Sequence, residues 1–322
     1  MNDSMNRHEG MAPRHERNSG TTNSLSRIRF GIRHLLVLLT LACLLLGVRA
    51  NHAWRQQKAV EAIVNFGGRV YYGTEVGLGL EERRWQDVVG VRIKCADLSP
   101  LRSLTKIRTL TVERNARDLS PLRLLTDMEV IELWGAQVDD MSALRGLTKL
   151  HTLTIRDAQI RDLRPLVRLK RLCNLDLRGN PVHDIGSVDA LSQLEHLDLT
   201  GTCISDLSPL ASLTCLKALI LEDNPLVSDL SPLENLASLE IVRLRNCSVN
   251  DISALAKLQN LKDLVLISTN VEDLSPVQNL PYLDYINVLG SPASRALIHE
   301  LFPACYCVPP NAPPQMDGYT EK

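Results

Sequence analysis

The sequence predicts an α/β solenoid, a curved stack in which each turn of chain adds one short parallel strand to a concave sheet and one short helical or 3₁₀ segment to the convex side. Three observations carry this expectation. Leu194, Leu197 and Leu199 are spaced L-x-x-L-x-L, and Ile204, Leu207, Leu210, Leu213 and Leu216 complete the unit. The element recurs about ten times, its middle residue being Val91, Leu110, Ile131, Leu153, Leu175, Leu197, Leu219, Val242, Leu264 and Ile286, mostly in steps of 22 residues. The second half of the unit, Asp-Leu-Ser-Pro-Leu at 97–101, returns at 118–122, 206–210 and 229–233 and, ending in valine, at 273–277.

One unit alone would not fold. About seven buried aliphatic side chains contribute roughly 1.5–3 kcal/mol each, against roughly 1–2 kcal/mol of backbone entropy for every residue ordered. Stacking shares each leucine row between neighbours, so the array is stable only as an array. The composition agrees: 44% hydrophobic, 23% charged and a net charge of -1 describe a chain with a long core and no basic excess that would point to nucleic acid. Aromatics are 4%, as expected of a core built from repeated leucines.

Residues 1–34 are polar and without apolar periodicity, which predicts disorder. Arg7, Arg14, Arg17, Arg27, Arg29 and Arg33 there face only Asp3, Glu9 and Glu16. Residues 35–48 form an unbroken apolar run, short for a roughly 30 Å hydrocarbon core unless Phe30, Ile32 and Trp54 extend it and Arg33 and Arg49 snorkel. The favoured reading is a transmembrane signal anchor over 35–50, arginines inside and repeats outside the cytoplasm. A signal peptide cleaved near Val48-Arg49-Ala50, giving a secreted protein, is the alternative. A lipoprotein at Cys43 fits worse because Leu44 to Leu46 stay apolar, leaving Cys43 buried and inert.

Residues 51–87 are expected to cap the first repeat: a helix over 51–66 ended by Gly67-Gly68, a short strand at 69–72, and a loop. A dimerising juxtamembrane helix is the other reading of that helix. The repeats follow over 88–289, and their strands, about 4.8 Å apart, make a sheet roughly 45 Å long. On the convex side Ser is expected to act as N-cap and Pro as first helical residue; Ser142-Ala143 and Ser253-Ala254 lose the Pro, Arg164 replaces the Ser, and Gly186-Ser187 departs most. A C-terminal cap over 290–308, helical at 292–302 with a strand at 306–308, and a proline-rich disordered tail at 309–322 complete the chain.

The unit L-x-x-L-x-L-x-x-[N/T]-x-I-x-D-L-S-P-L resembles the bacterial internalin-type leucine-rich repeat, and the Arg-rich start, the leucine run and the R-Q-Q-K-A-V-E-A-I-V-N-F-G-G segment resemble bacterial proteins that carry such repeats behind a membrane anchor. The resemblance implies a leucine-rich repeat horseshoe acting as a non-enzymatic protein-binding scaffold, without naming a ligand. The turn Asn common in that family stands here as Asn180 and Asn224, with Ala136, Ala158, Thr202, Cys247 and Thr269 elsewhere. Asn bonds neighbouring backbone, Thr does so in part and Ala does not, so a looser horseshoe is expected around Ala136 and Ala158.

Alternation along each strand puts Glu132/Trp134, Thr154/Arg156, Asp176/Arg178, Asp198/Thr200 and Arg243/Arg245 on the concave surface. The bland reading is a solvated, self-compensated face, as with Glu222 beside Arg245. Trp134 beside Arg156 and Arg178 rises above it, since these types are enriched at binding hot spots and Trp134 would otherwise be an unexplained exposed indole. The expected partner surface for an unidentified protein is therefore Trp134, Arg156, Arg178, Glu132, Asp176, Asp198, Arg243 and Arg245. Val265, Ile267, Tyr285 and Leu289 form an apolar patch that either the C-terminal tail or a partner covers.

Asp176 and Asp198 near His196 would suit a metal or acid/base chemistry, but no nucleophile or oxyanion donors accompany them; no catalytic residue, metal or cofactor is expected. Eight cysteines give no disulfide framework: Cys95, Cys173, Cys203, Cys215 and Cys247 sit singly as buried core thiols, and Cys305 and Cys307 are too close for an easy mutual bond. A structural, envelope-organising role without one specific partner is the second functional reading.

Overall fold

The computed structural model describes residues 32–72, 88–113, 115–293, 302 and 306–307. The expectations for residues 1–31, for the loop at 73–87, for most of the helix expected at 292–302 and for the tail at 309–322 lie outside the described residues. The chain divides into two compact units, 1–49 and 50–322, each described by itself.

Helix α1 runs without interruption over Ile32–Asn65. Leu35–Asn65 is long and apolar enough to cross a membrane, with mean hydropathy 1.8 over a window of which none is buried. A signal sequence near an N-terminus meets the same criteria. Cys43, expected to be buried, is exposed on this helix, as are Leu36, Leu39 and Leu46. In the second unit the end of α1 covers the first repeat through Ala59 and Ile63, both buried. Gly67 (φ +75°) and Gly68 close the helix, their N–H groups donating to Val64 O and Ile63 O at 2.9 Å. A Cβ at Gly68 would lie 2.7 Å from Ile63 and 2.8 Å from Arg92 O, so the chain passes there only as glycine.

A twelve-stranded sheet follows in strict chain order. β1 (Arg69–Tyr72) pairs antiparallel with β2 (Val88–Ile93). Parallel strands then follow as β3 (Thr109–Val112), β4 (Val130–Trp134), β5 (Thr152–Arg156), β6 (Asn174–Asp176), β7 (His196–Asp198), β8 (Ala218–Ile220), β9 (Ile241–Arg243), β10 (Asp263–Val265), β11 (Tyr285–Asn287) and β12 (Tyr306–Cys307). From β2 to β11 the residues in register are Val91, Leu110, Ile131, Leu153, Leu175, Leu197, Leu219, Val242, Leu264 and Ile286, the middle residues of the sequence pattern. All ten are buried, so a one-residue slip anywhere would turn a core row to solvent.

The convex side is a file of nine 3₁₀ turns among the described residues, from Ser99–Ser103 to Ser275–Val277. Their inward leucines, such as Leu101, Leu122, Leu144, Leu166 and Leu210, are fully buried. The capping differs from the expectation. No Ser acts as a side-chain N-cap; the Asp two residues earlier does the bonding. Asp97 Oδ1 accepts the Ser99 N–H at 2.8 Å and Asp97 Oδ2 accepts its hydroxyl at 3.0 Å. Asp118, Asp140, Asp206, Asp229 and Asp273 repeat both bonds. Where Ser is lost, Asp162 and Asp184 still accept the N–H of Arg164 and Gly186, at 2.9 and 2.7 Å. Hydrogen bonds from Ser hold the carboxyls of Asp118, Asp140, Asp206, Asp229, Asp251 and Asp273 below the usual carboxylate range, and Arg164 does so for Asp162.

After each strand from β3 to β11 one residue takes positive φ, between 53° and 76°: Asn115, Gly135, Asp157, Gly179, Gly201, Asp223, Asn246, Ser268 and Gly290. A Cβ at Gly179 would stand 2.3 Å from Asp157 Oδ1, so that exposed side chain would have to swing aside. Of the cysteines expected in the core, only Cys247 is buried, and burial pushes its thiol up to about 11; Cys203 is exposed and Cys95, Cys173 and Cys215 are half-buried.

Candidate binding surface on the concave face

Three columns of side chains stand on the concave sheet, one before and two after the buried middle residue of each strand. The pairs expected on the concave surface lie in the two later columns, with only His196 and Tyr285 drawn from the earlier one. The earlier one, which includes Asn174, His196, Ala218, Ile241 and Asp263, is in register along β6 to β10. Strict alternation across the strand contained the signal, because the positions on both sides of a buried residue face the same way.

Charges on this surface pair diagonally between neighbouring strands. Arg156 Nε donates to Asp176 Oδ2 at 2.7 Å, Arg178 Nη2 to Asp198 Oδ2 at 2.5 Å, and Arg243 Nη2 to Asp263 Oδ2 at 2.9 Å. In the first repeats Arg92 Nε donates to Glu113 at 2.5 Å. The other oxygens of Asp176 and Asp198 accept the N–H groups of Arg178 and Thr200 at 3.0 and 2.9 Å. Asp176 and Asp198 are thus each held by a guanidinium and a backbone amide, whereas Asp263 Oδ1 is buried without a hydrogen-bond partner among the described residues. For Arg178, burial opposes the charge, but Asp198, Asp176 and Glu222 outweigh it and hold the guanidinium firmly protonated. Burial pushes Glu222 up, against the attraction of Arg243 and Arg245. No ion pair forms between Glu222 and Arg245 among the described residues, unlike the compensation expected; Arg243 and Asp263 supply it instead.

The side chains expected to bind divide into two sets. Arg156, Asp176, Arg178, Asp198 and Arg243 line one open concavity of about 550 Å³, together with Ala218, Ile220 and Ile241. Glu132, Trp134 and Arg245 lie outside its lining. Glu132 accepts the Thr111 hydroxyl at 3.1 Å. Trp134 is half-buried rather than exposed, and its indole N–H is covered without a hydrogen-bond partner among the described residues. Its register partner is Arg156, one strand over. In the apolar patch Val265 is buried, Ile267 and Tyr285 are half-buried, and only Leu289 is exposed. Among the described residues no group of three His, Cys, Asp or Glu side chains is placed to hold a metal ion.

Comparisons with known proteins agree with this geometry. The family model for leucine-rich repeats in two copies matches residues 170–212 and 192–235. An internalin C2 of Listeria monocytogenes is 31% identical over 54% of this chain and 78% of its own, with a TM-score of 0.50. The chain belongs to the leucine-rich repeat proteins and is related to the internalins. A second internalin (inlF) of Listeria monocytogenes is 27% identical over 67% of this chain and 71% of its own, with a TM-score of 0.56. A Leptospira interrogans leucine-rich repeat protein shares the fold at 20% identity, covering 70% of this chain and 68% of its own, with a TM-score of 0.62. A search of curated proteins gives no significant match. The leucine-rich repeat fold is consistent with a protein-interaction scaffold.

Proposed function

We propose that this leucine-rich repeat protein is a membrane-anchored scaffold that binds another protein in the concavity framed by Arg156, Asp176, Arg178, Asp198 and Arg243. The observation that carries the reading is a single open depression combining three guanidiniums with the apolar floor of Ala218, Ile220 and Ile241. An apolar centre rimmed by Arg is the composition of a protein-binding hot spot. The guanidiniums are already oriented by Asp176, Asp198 and Asp263, so little side-chain entropy remains to be lost on binding. Anchorage rests on the apolar exposed stretch of α1, and the six arginines before it favour an orientation with the repeats outside the cytoplasm.

The test is a crosslinking pull-down from native membranes with the tagged full-length protein and an Arg156→Ala, Arg178→Ala variant. A protein captured by the parent and lost with the variant is expected. Equal capture by both would remove the concavity as the site.

A further inference from the structure

The two ends of the solenoid carry opposite charge. Residues 88–171 hold 16 Lys and Arg against 10 Asp and Glu, whereas 172–289 hold 6 against 16. In the basic part, the excess surfaces on the convex side. Arg117, Arg123, Arg145 and Arg168 line a groove of about 500 Å³ between successive 3₁₀ turns, all four exposed. Arg117 donates to Gln137 at 2.9 Å. Among the described residues no carboxylate lies within ion-pair distance of Arg123, Arg145 or Arg168. This contrasts with the concave arginines, nearly all of which have a carboxylate partner on the next strand.

The groove also holds an apolar side chain with nothing over it. Leu124 is 80% exposed, the most exposed large hydrophobic residue of the protein's described part, and it lines the groove together with Arg123, Arg145 and Gly146. Two carboxylates, Asp118 and Asp140, stand at the groove wall, each tied on both oxygens to its own Ser and held ionised. These features select the occupant. A continuous polyanion would meet the fixed charges of Asp118 and Asp140 and leave Leu124 in water. A polypeptide with separated carboxylates can reach the exposed guanidiniums, of which Arg145 already feels Asp140 and Asp162, and cover Leu124 with an apolar side chain of its own.

We propose that the convex groove around Arg123, Leu124, Arg145 and Arg168 is a second docking surface, distinct from the concavity, for an acidic protein segment that carries an apolar anchor residue. The backs of the repeats thereby bind one protein while the concave sheet binds another, which suits a scaffold rather than a single-ligand receptor. Electrostatic steering by the basic half makes the association fast and salt-sensitive.

The test uses the full-length protein in neutral-detergent micelles and a short fluorescent peptide in which Glu residues and one Leu are separated by Ser and Gly. Fluorescence anisotropy is expected to show saturable, salt-dependent binding. Reversing charge with Arg123→Glu, Arg145→Glu should weaken it by about tenfold or more, and Leu124→Ser by about threefold. Thermal unfolding of the variants guards against loss of fold, and Arg156→Ala, Arg178→Ala on the concave face should leave peptide binding unchanged. Absence of binding by the parent, an unchanged affinity after charge reversal, or equal affinity for inorganic polyphosphate would overturn the proposal. Dimers in sedimentation velocity that charge reversal disperses would assign the groove to the acidic half of a second copy and overturn it as well.

Discussion

Two stretches of the solenoid close the same turn by different means. At 180–181 and 224–225 the sequence is Asn-Pro, and at 136–137 and 158–159 it is Ala-Gln. In the Ala-Gln turns the backbone makes the link to the preceding repeat: Gln137 N–H donates to Ala116 O at 2.8 Å and Gln159 N–H to Val138 O at 3.0 Å. Proline has no N–H, so Pro181 and Pro225 cannot make this bond. There the Asn side chain ties the turns together. Asn180 Nδ2 donates to Ile155 O at 2.7 Å and Leu177 O at 2.9 Å, and its Oδ1 accepts the Ile160 N–H at 3.1 Å. Asn224 does the same toward Leu199 O and Leu221 O and accepts the Thr202 hydroxyl. Buried backbone groups need partners, and the two kinds of turn supply them to different groups: the Gln N–H groups reach Ala116 O and Val138 O, whereas Asn180 holds Ile155 O, Leu177 O and the Ile160 N–H. The looser horseshoe expected around Ala136 and Ala158 is thus set against one backbone bond at each turn that side-chain chemistry alone does not show.

The sharpest way to break the comparison is to take the side chain from an Asn-Pro turn. Asn180→Ala removes the partner that Ile155 O, Leu177 O and the Ile160 N–H share in the buried interior. A loss of about 3 kcal/mol is expected, since an unsatisfied buried group costs about 1–3 kcal/mol. Urea unfolding of the parent and variant checks the total, and faster amide exchange at Ile160 would locate it. Repeat arrays need not unfold in one step, so the local readout decides if the two disagree. An unchanged Ile160 exchange rate would refute the ladder's role.

A smaller change sharpens the same point from the other side. Gln159→Pro removes the backbone donor to Val138 O at a position where neighbouring repeats already accept proline, and should cost about 1 kcal/mol. Adding Ala158→Asn recreates the Asn-Pro turn and should recover most of that loss. The double-mutant cycle is therefore expected to be strongly non-additive. Simple additivity would mean the two kinds of turn are not interchangeable.

What the sequence disclosed follows the same division between periodic and paired features. The buried rows at Val91 to Ile286 were legible because burial repeats at one spacing and needs no knowledge of neighbours. The diagonal pairs were harder to see. Arg156 and Asp176, Arg178 and Asp198, and Arg243 and Asp263 are each 20 residues apart, two short of the repeat, which is the offset between facing columns on adjacent strands. That offset is meaningful only once the register is known. Trp134 was misjudged because alternation tells which way a side chain points and not how far its neighbours climb over it. The Asp caps were credited to Ser because Ser-Pro is the usual start of an α-helix, whereas these 3₁₀ turns are fastened from two residues upstream, and Asp162 and Asp184 keep the fastening where Ser is gone.

Those caps are the feature the two stretches share, so acid should act on both alike and its effect at one cap should be small. Ser208 donates its N–H and hydroxyl to Asp206 and holds the carboxyl below the usual range, against desolvation and then the charge of Asp229. The folded pKa is therefore lower than the unfolded value of about 3.9. Folding favours the ionised form, so the cap's contribution is complete well above pH 4 and is lost as pH falls through the folded pKa. Asp206→Asn keeps an acceptor for the Ser208 N–H but cannot titrate. Thermal midpoints of the parent and the variant should nearly coincide at pH 7, and the parent's should fall more steeply on acidification below about pH 5. Parallel curves would mean that the bond to Ser208 is as strong with a neutral carboxyl as with a charged one.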